Sequence, residues 1–193
     1  MDGSIAPYPQ KPEKGTYSAG LYSELIHSIQ ALYQEASSND VLLAGVSKDS
    51  RSCRFADKFQ IALPDTVVLY DVLDVGERTI TFPLTEHPES HVVYKELGQW
   101  AGRIHFFYLK CAPYDRPIRV DFLGDPDLAD TIAGMILSQS KYSKNYGYPT
   151  ILIEADQRAK LKETDTEVIY NLIMHKVGFS PAMLKLRRDT RPY

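Results

Sequence analysis

Two β-rich segments give this chain its clearest structural signal, because residues 103–111 and 117–123 are rich in Ile, Phe, Tyr and Val. β-Branched and aromatic residues favour strands, and the connection between the two segments, residues 112–116, is short. Antiparallel strands can be joined by a short connection, whereas parallel strands need a long crossover. The pattern therefore predicts an antiparallel strand pair.

A helix and a buried strand are predicted ahead of that pair. In residues 17–37, apolar residues recur at helical spacing, which predicts an amphipathic helix. Its predicted buried stripe consists of Leu21, Leu25, Ile26, Ile29, Leu32 and Tyr33. Residues 41–46 then form a short, continuously apolar run, which is typical of a strand covered on both faces. A helix followed by such a strand indicates an α/β fold.

The remaining pattern predicts further elements. Three prolines in residues 5–16 predict an exposed loop. The other predicted elements are helices over residues 54–62, 66–73 (capped by Asp65) and 128–141, and a strand over residues 76–84. The sequence Thr164-x-x-Glu167 resembles a capping box and predicts a last helix. The predicted buried stripe of that helix is Val168, Ile169, Leu172 and Ile173.

Length and charge limit the classes of protein. A chain of 193 residues suits one domain, predicted over residues 1–193, because two domains would be a tight fit. No apolar run approaches the roughly 18 residues that span a bilayer, and no signal region is evident, so a cytoplasmic protein without membrane contacts is expected. A net charge of −3 argues against a protein that coats nucleic acid through bulk charge, but leaves room for a local basic channel. Cys53 and Cys111 are expected to be reduced thiols.

Residues 147–160 concentrate groups that suit phosphate chemistry. A Tyr148–Pro149 turn leads into an apolar segment that ends in Glu154, Asp156, Arg158 and Lys160. Tyr148 could orient a phosphate or a metal-bound water, and Asp156 could bind a metal ion directly. The alternative is an amphipathic helix whose polar face carries these charges, with an ordinary surface ion pair four residues apart.

A second polar segment follows the first predicted strand. It contains Ser47, Lys48, Asp49, Ser50 and Arg51. In a functional interpretation, Lys48 and Arg51 grip phosphate groups. In the alternative, the segment is a polar turn in which Asp49 or Ser50 caps the next helix.

Metal-assisted cleavage of a phosphodiester needs hard oxygen ligands that gather Mg²⁺ or Mn²⁺ ions. Asp2 and Asp121 have the right chemistry, and the alternatives are a disordered N-terminal acid and a solvent-facing strand acid. The five histidines are scattered, and no Gly-rich phosphate loop is present. Hydrolysis of nucleoside triphosphates is therefore not expected.

Four pieces of the chain, residues 2–5, 45–52, 116–121 and 147–160, resemble in this order the NurA nuclease family. The resemblance implies an RNase H-like core, with a mixed sheet flanked by helices. It also implies homodimers that act in DNA end resection and repair with the hexameric HerA ATPase, a helicase-type partner. The implied activity is Mn²⁺-dependent DNA cleavage, with Mg²⁺ as an alternative ion, of the 5′ to 3′ exonuclease and single-strand endonuclease type.

The resemblance also assigns roles to individual residues. Asp2 matches a metal-binding aspartate, and Tyr148 matches an active-site tyrosine. Asp156 falls where many family members have a metal-site histidine, and an aspartate can still bind Mn²⁺ through oxygen. These three are the expected catalytic residues, and Asp2 and Asp156 are the expected metal ligands. The expected DNA contacts are Ser47, Lys48, Arg51 and Arg158.

The chain departs from the family pattern at its N-terminus. Family members begin with a strand that bears another acid, and they supply a further acid before the element that matches Asp2. Without these parts, an RNase H-like sheet is incomplete and exposes an edge, and a two-ion site binds metal poorly. The chain is then either a fragment or a short homologue that has lost or rebuilt catalysis. The candidate compensating acids are Asp49, Asp121 and Glu154.

Three functions therefore compete. The leading hypothesis is a Mn²⁺-dependent DNA nuclease that acts with a HerA-like ATPase. Loss of the leading acids favours the alternative, a non-catalytic scaffold or binding module that docks on the ATPase or self-associates. The third is an unrelated α/β domain, which predicts that Lys48, Tyr148 and Asp156 do not share one cleft. The C-terminal tail carries Lys185, Arg187, Arg188 and Arg191, which could contact DNA or the partner.

Overall fold

The computed structural model describes residues 1–7 and 11–178 of the chain. The chain divides into two compact units, Met1–Glu154 and Ala155–Tyr193. The basic tail from Lys185 onward lies outside the described residues. Within the described residues, no helix combines the length and the apolar character needed to cross a membrane.

Four antiparallel strands form the sheet of the first unit. They are β1 (Ala44–Ser47), β2 (Phe82–Pro83), β3 (Ile104–Leu109) and β4 (Ile118–Leu123), in the order β1-β4-β3-β2. The predicted antiparallel pair is confirmed as β3 and β4, with Phe107 opposite Val120. The family resemblance implies a mixed sheet, but these four strands form an antiparallel sheet, because each of their pairings is antiparallel. A parallel pairing occurs at one isolated bridge, between Asp2 and Val46 at the β1 edge.

β2 is shorter than the predicted strand over residues 76–84. Pro83 has no N–H to donate, and it is tolerated here because β2 is an edge strand. Ahead of β2, Arg78 forms an isolated antiparallel bridge to Leu109, and Thr79 N donates to Tyr108 O at 2.9 Å. The segment therefore follows β3 without forming a continuous ladder.

Helices cover both faces of the sheet. The α-helices are α1 (Tyr17–Ser38), α2 (Asp65–Val72), α3 (Ala129–Gln139), α4 (Thr150–Ala159) and α5 (Glu163–Val177), and short 3-10 helices lie at Ala56–Phe59, Tyr94–Arg103 and Pro126–Leu128. One face of the sheet packs against α3 through Phe107, Val120 and Ile132. The other face packs against Tyr33 of α1 and Leu69 of α2. This arrangement confirms the α/β class, while the RNase H-like architecture stays a prediction.

α1 confirms the predicted helix but not the whole of its predicted buried face. Ile26 and Tyr33 are buried with Trp100, and Tyr33 Oη donates to Ile5 O at 2.7 Å. Three leucines of the predicted stripe are exposed, namely Leu21, Leu25 and Leu32. The spacing of apolar residues allows more than one stripe on this helix, and the contacts of Tyr33 select the buried one.

α5, in the second unit, differs from its prediction in the same way. The predicted buried stripe is exposed at Val168, Ile169, Leu172 and Ile173. The helix begins ahead of the predicted capping box, and Lys162 N donates to Asp165 Oδ2 at 3.2 Å. Helical periodicity identifies an apolar face, but burial of that face requires a packing partner.

Asp65 is the first residue of α2, but its carboxylate does not cap α2 as predicted. It caps the start of the 3-10 helix at Ala56–Phe59 instead. The side chain is fully buried, and Oδ1 accepts hydrogen bonds from Phe55 N and Ala56 N, both at 2.9 Å. Oδ2 accepts from Tyr108 Oη at 2.7 Å. Burial raises the pKa of Tyr108 to about 12, so its hydroxyl stays a donor. Asp65 thereby ties the start of the Ala56–Phe59 turn to β3.

Candidate functional site

The N-terminal residues lie along the β1 edge of the sheet. Val46 N donates to Met1 O at 2.9 Å, and Gly3 N donates to Val46 O at 2.8 Å. The backbone then crosses β1 at Gly45, where an added Cβ would overlap Gly3 O and lie 2.8 Å from Ile5 N. The absence of a side chain at position 45 is what permits this crossing.

Beyond the crossing, the segment is anchored in the core. Ser4 Oγ donates to Asp121 Oδ2, and Ile5 O accepts from Tyr33 Oη. Ile5 is 5% exposed, so the prediction of an exposed loop from residue 5 is wrong at its start. These contacts, together with the pairing along β1, hold Asp2 at the edge of the sheet.

Asp2, Lys48 and Tyr148 meet at this edge and form what we call the Asp2 cluster. Tyr148 Oη donates to Asp2 Oδ1 at 2.5 Å, across 146 positions of sequence. Lys48 Nζ lies 3.9 Å from Asp2 Oδ2 and 4.5 Å from the centroid of the Tyr148 ring. A carboxylate, a phenol and a cation are therefore in mutual contact.

Tyr148 reaches the cluster because the turn ahead of α4 is held in place. Gly147 N donates to Asp115 Oδ2 at 2.7 Å, and a Cβ on Gly147 would lie 2.8 Å from Cys111 Cβ. Tyr148 itself is 2% exposed, and Pro149 leads directly into α4. The Gly-Tyr-Pro turn therefore directs the phenol towards Asp2.

The cluster can orient a carboxylate and hold an anion. The hydroxyl proton of Tyr148 can be donated to Asp2 Oδ1 at 2.5 Å or to Val46 O at 3.0 Å. Donation to Asp2 orients the carboxylate, and Lys48 brings a positive charge near its other oxygen. The side chains of Lys48 and Asp2 are 32% and 45% exposed, so a ligand can reach both of them. These properties suit phosphodiester chemistry, in which negative charge must be positioned and stabilised.

Of the other predicted site residues, Ser47 and Arg51 belong to the first unit, and Asp156 and Arg158 belong to the second. Ser47 pairs with Arg119, so its side chain lies on the opposite face of the sheet. Arg51 is exposed on the connection that follows β1. Asp156 and Arg158 are exposed residues of α4 within the second unit.

Asp121 lies inside the protein. It is 1% exposed, and its Oδ1 accepts from Arg119 Nε at 2.7 Å. Because side chains alternate along β4, Asp121 lies on the face opposite Val120 and Tyr148. The interpretation as a solvent-facing strand acid is wrong, and this acid does not join Asp2.

The described side chains do not by themselves form a metal site. The Asp2 cluster contains one carboxylate and a lysine. Mn²⁺ and Mg²⁺ favour a near-octahedral set of oxygen ligands. Within the described residues, no three Asp, Glu, His or Cys side chains gather so that they could hold a metal ion. The donor set of the cluster therefore does not fit the implied Mn²⁺ ion without further ligands.

A cleft of about 490 Å³ adjoins Lys48 and contains residues that the sequence analysis did not select. Its walls include Tyr70, Tyr114 and Arg116. Aromatic rings and cations are the groups that follow single-stranded nucleic acid. The sequence signal that could have identified this cleft is the connection between β3 and β4, which contains both Tyr114 and Arg116. Three acids also line this cleft, namely Asp49, Asp71 and Asp115.

Cys111, which contacts the turn before Tyr148, is not a candidate nucleophile. Burial raises the pKa of its thiol to about 12, so the reactive thiolate is scarce at neutral pH. Cys53 and Cys111 are both free cysteines, as predicted.

Comparison with known proteins identifies the family of the chain. A family model described as the NurA domain matches residues 1–161, which is well over half of the chain. No curated protein matches the chain significantly, and no solved structure does so.

Proposed function

The chain belongs to the NurA family, a family of nucleases associated with HerA ATPases, and we propose from this premise that it cleaves DNA. The proposed activity is of the 5′ to 3′ exonuclease and single-strand endonuclease type, in DNA end resection and repair. A HerA-like hexameric ATPase and a second copy of this chain are the proposed partners. The exposed leucines of α1 offer an apolar surface that self-association could bury.

The observation that carries this proposal is the contact between Asp2 and Tyr148. The resemblance to the family implies that both residues are catalytic, and their side chains are hydrogen-bonded although they lie near opposite ends of the matched region. Lys48 adds a cation to the same cluster. In this proposal, Tyr148 positions the Asp2 carboxylate, and Lys48 stabilises negative charge on the scissile phosphate.

Metal dependence and the DNA contacts are part of the same proposal. Mn²⁺, or alternatively Mg²⁺, would activate water and stabilise the leaving oxygen. Asp2 and Asp156 are its proposed protein ligands, with water and phosphate oxygens supplying others. The proposed DNA contacts are Ser47, Lys48, Arg51 and Arg158. An RNase H-like arrangement of the complete domain is likewise proposed from family membership.

Tyr148→Phe is expected to lower Mn²⁺-dependent cleavage of end-labelled linear DNA by about a hundredfold, because it removes the donor that positions Asp2. Initial rates of the wild-type chain and the variant, with Mn²⁺, Mg²⁺ or EDTA, measure the effect. Circular dichroism of both proteins checks that the fold is retained.

Tyr146→Phe is the matched control. Its ring centroid lies 6.0 Å from that of Tyr148, and the residue is 43% exposed. The same loss of a hydroxyl should therefore leave the cleavage rate within about twofold. Equal rates for Tyr148→Phe and the wild-type chain would contradict the role proposed for Tyr148.

The presence of one carboxylate in the Asp2 cluster favours a second candidate, a non-catalytic scaffold. In that case the chain would dock on the ATPase or self-associate without cleaving DNA. A folded wild-type protein that binds a HerA-like ATPase but leaves DNA intact in Mn²⁺ would establish this candidate and exclude the first for this chain.

A further inference from the structure

A pocket of about 220 Å³ lies on the sheet face opposite the Asp2 cluster. We call it the arginine pocket, and its walls are Arg54, Leu84, Thr85, His91, Tyr94 and Arg119. No carboxylate is among these residues, although the chain as a whole is acidic. Two guanidinium groups therefore face one small space whose walls contain no acid, and one of the two, Arg119, is paired with the buried Asp121.

Arg119 is held rigidly in this pocket. Its Nε donates to the buried Asp121 at 2.7 Å, and its guanidinium carbon lies 4.0 Å from the centroid of Phe106. The side chain is 14% exposed, and within the described residues its two terminal nitrogens have no hydrogen-bond acceptor. A rigid arginine with free terminal donors is suited to bind the paired oxygens of a phosphate.

Arg54 brings a second guanidinium to the same space. Its Nη1 donates to the backbone carbonyls of Pro83 and Leu84, which fixes the head group. The guanidinium carbon lies 5.7 Å from the centroid of Phe106, the ring that Arg119 also covers. The two arginines thus share one aromatic support and one pocket.

His91 and Tyr94 add two further donors. His91 Nδ1 accepts from Val93 N at 3.2 Å and from Tyr94 N at 3.1 Å, so in the neutral ring the proton is on Nε2. The two rings stack with centroids 4.0 Å apart. Burial raises the pKa of Tyr94, although Arg119 and Arg54 lower it, and the hydroxyl stays protonated. Both groups can therefore donate to an anion.

A second cavity of about 280 Å³ adjoins the arginine pocket through their shared residue Arg54. Phe55 and Phe82 line it together with one acid, Glu86, and Lys58 Nζ lies 5.8 Å from the centroid of Phe82. Phe106, which also borders the cavity, is 2% exposed and stacks on Phe82 with ring centroids 5.3 Å apart. Aromatic walls with nearby cations favour a flat, electron-rich ring. The two cavities thus place an aromatic slot beside an anion pocket.

We propose that these two cavities bind a nucleoside monophosphate, with its phosphate in the arginine pocket and its base against Phe55 and Phe82. The ligand is either a free nucleotide or the 5′-terminal nucleotide of a DNA strand, since both present a phosphate monoester next to a base. The proposal does not depend on the proposed nuclease activity, because the Asp2 cluster lies on the other face of the sheet.

Calorimetric titration of the whole chain in EDTA tests the proposal, because cleavage cannot then interfere. Thymidine 5′-monophosphate should bind saturably, inorganic phosphate should compete with it, and thymidine should bind at least about tenfold more weakly. Arg54→Gln should weaken monophosphate binding by about tenfold or more. Tyr94→Phe, which removes one hydroxyl, should weaken binding of the monophosphate more than that of thymidine.

Arg78→Gln is the matched control. The guanidinium carbon of Arg78 also lies 5.7 Å from the centroid of a phenylalanine ring, that of Phe107, but Arg78 lines neither cavity. It should bind the monophosphate as the wild-type chain does. Equal affinity for thymidine and its monophosphate, or unchanged binding by Arg54→Gln, would overturn the proposal. Titration with dinucleotides that carry or lack a 5′-phosphate distinguishes a free nucleotide from a DNA end as the ligand. If the 5′-phosphorylated dinucleotide binds more tightly than the free mononucleotide, and this preference depends on Arg54, the ligand is a DNA end.

Discussion

Gly45→Ala is expected to reduce DNA cleavage by about a hundredfold, because it displaces Asp2, the carboxylate proposed to be catalytic. An alanine Cβ would overlap Gly3 O and lie 2.8 Å from Ile5 N. Both are backbone atoms, so the N-terminal segment must move away from β1 to relieve the overlap. Asp2 would then lose its hydrogen bond from Tyr148. Cleavage assays in Mn²⁺ measure the loss.

The same substitution has a structural signature that does not depend on catalysis. Val46 N donates to Met1 O, so its amide hydrogen should exchange with solvent faster in the Gly45→Ala variant. Gly134→Ala in α3 is the control, because a Cβ there meets nothing within 4 Å and alanine favours helices. If Gly45→Ala leaves both cleavage and Val46 exchange unchanged, the crossing does not hold Asp2 as described.

Asp65→Ala is expected to lower the free energy of unfolding by about 3–5 kcal/mol. The fully buried carboxylate accepts hydrogen bonds from Phe55 N, Ala56 N and Tyr108 Oη. Alanine would leave three donors without this acceptor, and each buried unsatisfied group costs about 1–3 kcal/mol. Urea denaturation, followed by circular dichroism, gives the change in unfolding free energy.

Two further variants distinguish the effect of losing these hydrogen bonds from the effect of removing a negative charge from α2. Asp71→Ala removes an exposed carboxylate from the same helix, and it should change stability by no more than about 0.5 kcal/mol. Tyr108→Phe removes one of the three donors, so its effect should be near 1 kcal/mol. A loss below about 1.5 kcal/mol for Asp65→Ala would show that water or rearranged groups satisfy the donors.

The sheet separates two chemically different sites. The Asp2 cluster lies on the face that packs against α3, whereas the arginine pocket lies on the face that carries Asp121. Asp121 serves the second face by holding both Arg119 and Ser4. Because Ser4 follows the crossing over Gly45, this buried acid also helps to anchor the segment that bears Asp2.

Local sequence patterns were sufficient for several of the elements and for part of the site. Strand composition identified β3 and β4, and helical spacing identified α1, because both signals depend on neighbouring residues alone. The order of four short pieces indicated the family, and three of those pieces contain Asp2, Lys48 and Tyr148. Residue type at these positions was enough to suggest phosphate chemistry.

Tertiary structure decided which of the possible contacts are formed. Periodicity could not choose the buried stripe of α1, since that choice depends on Tyr33 meeting Ile5 and Trp100 from distant parts of the chain. The arginine pocket likewise joins residues from the connection after β1, the segment before β3, and β4, which share no sequence motif. Such contacts arise from the folding of the chain in space, so composition and spacing define the available groups but not their neighbours.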